Sequence, residues 1–429
     1  MQVADYKQFS GIVHERYLGK RAPVEVSIEV TRRCPLECLH CYNNLPMGDR
    51  EARKSELTLS EHIRLLDELV AAGCLWVLYT GGEIFGRKDF VEIYKAAKSR
   101  GFLVTLFTNG TLITPQIADM LAEWRPFAIE ITMYGATRET YEALTQVPGS
   151  YDRCMRGIRL LLERNLPLKL KTVPTTVNRH EVFEMKRMAE EDFGVEFKFD
   201  PLVNPRIDCS ASPLAVRLSP EEVVAIDYHD PKRREEYRRL ATHDLSGSPA
   251  DKRDSDTVYF CGGGMSACAV DPEGRMSICV ISHQETYDWR NGSFQEGWDG
   301  FLWETRTKKK SRQTRCDDCR IQSLCSMCPA NGELEMNDAE SPVDFLCQVA
   351  HLRAYALDMN VPEHGSCPAC AGGEFHSQLR SSAQKIASGQ VDVGSWVPVA
   401  KLAGPLPILQ QSGSGSAGSC GSCGSHAAY

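Results

Sequence analysis

Three cysteines stand close together near the start of the chain, in the segment TRRCPLECLHCYNN. Three residues separate Cys34 from Cys38, and two separate Cys38 from Cys41. Three thiolates on one short loop can bind three irons of a 4Fe–4S cluster, which usually takes four cysteines. The fourth iron then stays open for a ligand other than cysteine. The alternative is a zinc site completed by His40 or by a more distant residue.

Eight further cysteines lie between residues 258 and 355, again at short spacings. They are Cys261, Cys268, Cys279, Cys316, Cys319, Cys325, Cys328 and Cys347. Eight thiolates are the number that two fully ligated 4Fe–4S clusters require. A pair of zinc knuckles is the alternative, because CxxC repeats bind zinc too.

Seven of the 18 cysteines fall outside both sets. Three are isolated and are predicted to be ordinary core or surface thiols, namely Cys74, Cys154 and Cys209. The other four form two CxxC pairs, Cys367 with Cys370 and Cys420 with Cys423. Together the two pairs can make one zinc site. A separate hypothesis is that the last pair, in SCGSCGSH, mimics or occupies the active site as a cysteine-bearing peptide.

The composition excludes several classes of protein. The chain has 429 residues, 42% of them hydrophobic, and a net charge of −8. This length suits two domains or one large domain with an extension. The absence of a basic excess argues against nucleic acid or an anionic membrane as a partner. The sequence has no apolar run of about 18 residues and no signal-peptide pattern. A cytoplasmic protein is therefore expected, and a reducing cytosol argues against disulfides.

Apolar runs alternate with helical patterns over the first half of the chain. Strands are predicted at 24–30, 75–79, 103–107, 127–133, 168–173 and 195–199. Helices are predicted at 58–72, 89–99, 115–123, 153–164 and 180–192. Six strand–helix units in series predict an α/β fold, a partial TIM-like (β/α)6 barrel. Sites in such barrels lie where the strands end.

Candidate binding residues follow several of these strands. The second strand ends in TGGE, where Gly81 and Gly82 allow close backbone approach and Glu83 can accept a hydrogen bond from an ammonium group. Other candidates at strand ends are Asn109, Thr132 and Lys171. Ordinary roles remain open for all of them, because turns favour Gly and Asn, strands favour threonine, and strand-end lysines are often solvated.

The cysteine spacing in the first loop resembles the signature of the radical S-adenosylmethionine (SAM) superfamily. TGGE matches that family's GGE motif, and Thr132 matches a position that often touches the ribose. The resemblance implies that SAM binds the open iron through its amino and carboxylate groups and is cleaved to a 5′-deoxyadenosyl radical. His40 stands where the family usually has an aromatic-type residue.

The second cysteine set resembles the SPASM extension of that superfamily. Twelve residues separate Cys261 from Gly274, and four separate Gly274 from Cys279. The resemblance assigns one auxiliary cluster to Cys261, Cys268, Cys279 and Cys328, and another to Cys316, Cys319, Cys325 and Cys347. The sequence departs from the family pattern between Cys325 and Cys328, where two residues stand in place of three.

These observations divide the chain into five predicted parts. They are an N-terminal arm (1–23), the partial barrel (24–210), a bridge with one charged helix (211–257), the SPASM domain (258–355) and a low-complexity tail (356–429). The Gly- and Ser-rich tail is not expected to fold alone.

The resemblance to SPASM-bearing peptide maturases implies an oxidoreductase that modifies a peptide or protein side chain, as in thioether or cross-link formation on a ribosomally made peptide. It also implies SAM, three 4Fe–4S clusters and a flavodoxin- or ferredoxin-type electron donor. Because the arm is short, a separate peptide-binding chaperone is expected. Formylglycine formation, small-molecule radical dehydrogenation, and a non-catalytic electron carrier or redox sensor remain alternatives. No catalytic acid or base is identified.

Overall fold

The computed structural model describes residues 12–13, 16–17, 20–245, 256–282, 284–361 and 367–397. The described residues leave out most of the predicted N-terminal arm and the CxxC pair Cys420/Cys423. The hypothesis of a substrate-like tail concerns that pair and therefore also falls outside the described residues. None of the described helices is long and apolar enough to cross a membrane.

The centre of the fold is a nine-stranded sheet in the order β11-β10-β9-β1-β4-β5-β6-β7-β8. The strands are β1 Glu25–Glu29, β2 Arg33–Cys34, β3 Leu45–Pro46, β4 Trp76–Thr80, β5 Leu103–Thr108, β6 Ala128–Thr132, β7 Leu168–Thr172, β8 Glu196–Phe199, β9 Ala267–Val270, β10 Arg275–Ser277 and β11 Tyr287–Asp288. Strands β1 and β4 to β8 are parallel neighbours, whereas β2 and β3 form a separate pair. This arrangement confirms the predicted α/β barrel-like class.

Helices connect the barrel strands and cover one face of the sheet, and further helices follow the last strand. They are α1 Arg50–Ser55, α2 Leu59–Ala71, α3 Phe90–Ser99, α4 Pro115–Glu123, α5 Arg138–Thr145, α6 Ser150–Leu162, α7 Val182–Arg187, α8 Pro220–His229, α9 Pro231–Leu245, α10 Phe294–Glu296, α11 Trp303–Thr307, α12 Pro329–Met336, α13 Asp344–Ala356 and α14 His376–Ala387. The six predicted strands and five predicted helices all occur, with ends shifted by a few residues. Helix α2 begins as expected at Thr58, which forms a capping box with Glu61.

Strand alternation separates the core from the opposite face of the sheet. In β7, Leu168 and Leu170 are buried in the core, while Lys169 and Lys171 between them are only half-buried. Successive residues of a strand point to opposite faces, so the lysines lie on the face that the barrel helices do not cover. This face is polar near the ends of β6, β7 and β8.

The extension of the chain continues the barrel sheet. Strand β9 pairs in parallel with β1, with Val26 opposite Cys268, and β10 and β11 follow it in antiparallel pairing. The predicted boundary near residue 258 therefore separates two cysteine sets, but the sheet runs across it.

The later segments contain two helices that the sequence analysis did not predict. The bridge holds two helices, α8 and α9, because α8 buries Val223, Val224 and Ile226, an apolar run that its polar surroundings obscured. Residues 376–387 of the supposed low-complexity tail form helix α14, which packs on α13 through Leu379, Ala383 and Ile386. The helical spacing of these three residues was hidden by the average composition of the tail.

Glu181 fastens the loop after β6 to the segment before α7. Its carboxylate accepts hydrogen bonds from the backbone amides of Ala136 and Thr137 at 2.7 and 3.0 Å. It also accepts hydrogen bonds from the hydroxyl groups of Thr137 and Thr140, at 2.6 and 2.7 Å. Burial opposes its ionisation, but hydrogen bonds from His180, Thr137 and Thr140 outweigh it and lower the pKa to about 2.

Replacing Glu181 with glutamine should lower the free energy of unfolding by about 1–3 kcal/mol at neutral pH, because an amide cannot accept from all these donors. Anaerobic urea unfolding measures this difference. Glu184→Gln is the matched control, since Glu184 lies in α7, is half-exposed and pairs only with Arg187 among the described residues. Equal stability of the two variants would contradict the anchoring role.

Candidate iron–sulfur and ligand-binding site

The first cysteine loop leaves the sheet directly after β1 and is largely buried. Cys34 lies in β2 with 8% of its surface exposed, and the amide of Leu36 donates to its Sγ at 3.4 Å. Cys38 and Cys41 are joined by a turn in which the Cys41 amide donates to the Cys38 carbonyl at 3.0 Å. The structure therefore brings the three predicted ligands onto one compact loop.

The three thiols influence one another electrostatically. Burial, and after it the charges of Glu83 and Cys41, raises the pKa of Cys34 to about 12. Burial and the other two cysteines also raise the pKa of Cys38 well above its usual value. Without a metal these thiols are protonated, so binding of a positively charged cluster must release protons.

The spread of the three sulfur atoms distinguishes a cluster from a single ion. Among the described residues, only one group of three His, Cys, Asp or Glu side chains has all its metal-binding atoms within 4.8 Å of one another. That group includes none of the residues of this loop, neither its three cysteines nor His40. A single tetrahedral zinc ion needs its ligand atoms close together, whereas each thiolate of a 4Fe–4S cluster binds a different iron. The loop fits the cluster better than the zinc alternative.

The two glycines of TGGE pack against the backbone of the cysteine loop. The amides of Gly82 and Glu83 donate to the carbonyls of Thr31 and Arg33 at 2.7 and 3.0 Å. A Cβ on Gly81, whose φ is +125°, would lie 2.1 Å from the Thr31 oxygen. A Cβ on Gly82 would lie 2.5 Å from the Arg32 and Arg33 oxygens. The glycines are therefore required for close approach of two loops, while their predicted contact with SAM stays a prediction.

Glu83 is fully buried, and its carboxylate accepts three hydrogen bonds. The donors are the Phe85 amide at 3.2 Å, the Thr108 hydroxyl at 2.7 Å and the Asn109 amide at 2.8 Å. Burial raises the pKa of Glu83, although these donors oppose the change. The predicted role in binding an ammonium group remains untested, and the observed role is to hold the loop after β4 against the loop after β5.

Asn109 connects this network to Cys34, one of the predicted cluster ligands. Its Nδ2 donates to Cys34 Sγ at 3.4 Å, while its Oδ1 accepts from the amide and the hydroxyl of Thr111 at 2.9 and 2.6 Å. The side chain predicted to touch SAM is thus oriented towards a sulfur atom. Hydrogen bonds to sulfur help to set the potential of an iron–sulfur cluster.

Replacing Asn109 with alanine should lower the reduction potential of the SAM-binding cluster by about 40 mV, which corresponds to one hydrogen bond of about 1 kcal/mol that favours the more negative, reduced state. An anaerobic redox titration followed by electron paramagnetic resonance measures the shift. Asn109→Asp removes the same donor and adds negative charge, so a larger fall is expected. An unchanged potential in both variants, with the cluster intact, would show that the bond has no effect.

Sequence reasoning missed several residues that hold the cysteine loop in place. Arg206 donates to the Cys41 carbonyl at 3.2 Å and to Asn44 at 2.8 and 2.9 Å. Arg33 forms a buried ion pair with Glu56 at 2.8 Å. Arg206 lies far from the loop in sequence and in no recognisable motif, so no local signal could have identified it.

The aromatic neighbours of Cys38 were missed as well. Tyr134 follows β6, and its hydroxyl interacts with the Cys38 thiol. The half-buried ring of His40 lies 5.7 Å from that of Tyr134, and its desolvation lowers the pKa of His40 to about 4. His40 is therefore neutral at physiological pH and packs as a ring beside the loop.

A charged group lies on the face of the sheet that the barrel helices do not cover. Glu130 forms ion pairs with Lys171 at 3.1 Å and Lys198 at 2.7 Å. The Lys171 ammonium also lies 2.9 Å from the centre of the Phe107 ring. Burial lowers the pKa of Lys171 to about 8, with Glu130 opposing the change. Thr132 is half-buried at the end of β6, paired with Lys171 across the strands. Contacts of Lys171 and Thr132 with SAM stay predictions.

The structure brings together three of the four cysteines predicted to hold the first auxiliary cluster. Burial mainly raises the pKa of Cys279 to about 12, and the charges of Cys328 and Cys261 add to it. Cys268 instead lies beside Cys74, on the core face of the sheet opposite Val26. The role of Cys268 as a cluster ligand stays a prediction.

All four cysteines predicted to hold the second auxiliary cluster are neighbours. Burial raises the pKa of Cys325 to about 12, and the charges of Cys319 and Cys316 add to this rise. Cys347, on α13, is likewise affected by Cys325 and Cys316. No disulfide involves any cysteine of the two sets.

Comparisons with known proteins agree with this geometry. A family model described as the radical SAM superfamily matches residues 28–189. The AdoMet-dependent heme synthase of Methanosarcina barkeri is 24% identical over 344 residues, which are 74% of this chain and 94% of that relative. The mycofactocin maturase MftC of Mycobacterium tuberculosis is 26% identical over 320 residues, 72% of this chain and 78% of the relative.

Among solved structures, SuiB of Streptococcus suis bound to its precursor peptide SuiA superimposes with a TM-score of 0.61. It is 16% identical and covers 81% of this chain and 82% of its own, so it supports the fold alone. The fold and the cysteine loop together define an iron–sulfur protein built on a partial TIM-like barrel. The chain contains a radical SAM domain, matched over residues 28–189, and its C-terminal region is rich in cysteine.

Proposed function

We propose that this enzyme cleaves SAM reductively at a 4Fe–4S cluster held by Cys34, Cys38 and Cys41, and uses the resulting radical to modify a peptide or protein side chain. The observation that carries the proposal is the buried loop itself, in which three cysteines are fixed by the TGGE loop and by Asn109. With SAM on its open iron, such a cluster supplies the electron that starts radical chemistry.

The chain's own residues supply orientation and protection from water. The TGGE loop fixes the backbone of the cysteine loop, and Glu83 joins both to the loop after β5. Asn109 donates a hydrogen bond to Cys34 Sγ, and the Tyr134 hydroxyl interacts with the Cys38 thiol. On the polar face of the sheet, the positively charged side chain of Lys171 near the end of β7 would attract a carboxylate of SAM or of substrate.

One similarity supports a peptide as the substrate. MftC, which aligns over 72% of this chain, is named as a maturase. The second cysteine set adds donors for auxiliary clusters, a feature that resembles SPASM-bearing maturases. These clusters would accept an electron from the substrate radical or bind the substrate.

We assign the number of clusters and the partners on the same basis. Cys316, Cys319, Cys325 and Cys347 would hold one auxiliary cluster through four thiolates. Cys261, Cys268, Cys279 and Cys328 would hold another. A flavodoxin- or ferredoxin-type protein would donate electrons in the cytoplasm, and a separate chaperone would present the peptide.

A small-molecule substrate is the second candidate. The heme synthase relatives align along most of their own length, up to 94%, and their name indicates a tetrapyrrole product. Both candidates use the same SAM-binding site, so the first set of cysteines does not separate them. The two candidate functions must therefore be distinguished by the product that the enzyme forms.

The test supplies the reduced enzyme and SAM anaerobically with each substrate class in turn. One arm contains the peptides encoded next to the gene, and the other contains porphyrin precursors of heme. Mass spectrometry should show a mass change on a peptide that depends on SAM. A change on the porphyrin alone would favour the second candidate and reject the first.

A further inference from the structure

A buried group of metal-binding side chains lies outside the sites described so far. His351 is on α13, and Cys367 and Cys370 belong to the segment between α13 and α14. Their exposed fractions are 1%, 5% and 3%. They form the only group among the described residues whose three metal-binding atoms all lie within 4.8 Å of one another.

The distances in this group suit a single tetrahedral ion. His351 Nε2 lies 3.3 Å from Cys370 Sγ and 3.8 Å from Cys367 Sγ. Zinc binds sulfur at about 2.3 Å and imidazole nitrogen at about 2.0 Å, so neighbouring ligands of a tetrahedral zinc ion are about 3.6 Å apart. Both distances fall close to this value. The same spacing is too tight for thiolates that bind separate irons of a cluster.

A hydrogen bond on the far side of the imidazole ring prepares His351 for this role. Its Nδ1 lies 2.7 Å from the carbonyl oxygen of Cys347, one helical turn earlier. A carbonyl can only accept, so Nδ1 carries the proton and Nε2 presents its lone pair to the two thiols. Metal-binding histidines are usually oriented in this way.

The two cysteines are presented by a tight turn. The Cys370 amide donates to the Cys367 carbonyl at 3.2 Å, and the Gly373 amide donates to the Cys370 carbonyl at 2.9 Å. A Cβ on Gly373 would lie 2.4 Å from the Pro368 oxygen, so the turn needs glycine at this position. The CxxC spacing is that of zinc-binding turns. No disulfide joins the two cysteines.

We propose that His351, Cys367 and Cys370 bind one Zn²⁺ ion, which fastens the segment before α14 to α13. The two cysteines bind as thiolates and release their protons when the ion enters. Three protein ligands leave one position of the tetrahedron for a fourth ligand. In this proposed site the partner of Cys367 and Cys370 is a histidine on helix α13 instead of a second CxxC pair.

The position of this ion links the end of the fold to the second auxiliary set. Cys347 is one of the four neighbouring cysteines of that set, and its carbonyl orients His351. On the other side, the Tyr355 hydroxyl donates to the Ala369 carbonyl at 3.0 Å and contacts His376 at the start of α14. Zinc would therefore rigidify the helix that carries an auxiliary ligand.

Metal analysis of the full chain tests the proposal. After exposure to one equivalent of zinc and desalting, the anaerobically purified protein should retain about one zinc ion per chain in addition to its iron. Cys370→Ser should lose most of this zinc and keep its iron and sulfide. The control Cys209→Ser, at a cysteine outside every set, should keep both metals. Zinc that is missing from the full chain, or that is retained by Cys370→Ser, would overturn the proposal.

X-ray absorption at the zinc edge gives a second test on the unaltered protein, in case Cys370→Ser folds poorly. Iron–sulfur clusters do not contribute to this edge. The expected nearest shell contains two sulfur atoms at about 2.3 Å and a nitrogen at about 2.0 Å. A shell of only nitrogen and oxygen would identify surface-bound zinc and would overturn the site.

Discussion

Gly82→Ala should abolish SAM cleavage although Gly82 is not a metal ligand. The added Cβ would lie 2.5 Å from two backbone oxygens, those of Arg32 and Arg33, which cannot move aside as a flexible side chain does. The cysteine loop must then shift, and a displacement of about 1 Å at a reacting centre can cost roughly 100-fold in rate. We expect at least this loss in 5′-deoxyadenosine formation and about four irons fewer per chain.

Gly48→Ala is the matched control for this variant. Gly48 lies in the same part of the chain, and a Cβ there meets no atom within 4 Å. It should retain normal iron content and normal SAM cleavage. If Gly82→Ala keeps its iron and its activity, the close contact between TGGE and the cysteine loop is not what positions the cluster.

Cys325→Ala should separate SAM cleavage from product formation. Cys325 belongs to the second auxiliary set and is a neighbour of Cys316 and Cys319, whereas the SAM-binding set lies on the loop after β1. A cluster with a missing thiolate is lost or altered. We expect 5′-deoxyadenosine formation within about twofold of the unaltered enzyme, while modified product falls by at least roughly tenfold.

Both quantities can be measured in one anaerobic reaction by liquid chromatography and mass spectrometry. Cys209→Ala is the control, since Cys209 is half-buried and belongs to neither cluster set. A variant that forms product normally would show that the second auxiliary cluster is dispensable. Equal loss of cleavage and product would indicate instead that Cys325 supports the whole fold.

The main features of the site could be predicted because they depend on local spacing. Cys34, Cys38 and Cys41 are adjacent in sequence, and strand alternation with helices places them at the end of β1. The same reasoning located TGGE and Asn109 at the ends of β4 and β5. Their order along parallel strands ensures that they meet at one edge of the sheet.

Other features depend on contacts between distant segments and could not be read from spacing. Arg206 reaches the cysteine loop from beyond β8, and Tyr134 reaches Cys38 from the end of β6. Glu83 was expected to face a ligand, yet its carboxylate is satisfied by neighbouring loops. A motif identifies which residues matter, but only the packing shows which atoms they contact.

The later cysteines illustrate the same limit. The family pattern groups Cys268 with Cys261 and Cys279, and the pairing of β9 with β1 places it near Cys74, a neighbour that spacing does not predict. The sequence groups Cys367 and Cys370 with the CxxC pair Cys420/Cys423 in one zinc site, whereas the structure places them beside His351. In each case a side-chain direction decided the partner.

Anaerobic conversion of SAM to 5′-deoxyadenosine by the unaltered protein and by Cys38→Ala tests the central claim most directly. The reconstituted, dithionite-reduced protein should form 5′-deoxyadenosine, and Cys38→Ala should form none above background while its auxiliary cysteines still hold iron. Absence of product from the unaltered protein with its clusters intact, or cleavage that persists in Cys38→Ala, would contradict the assignment of this loop as the SAM-binding iron–sulfur site.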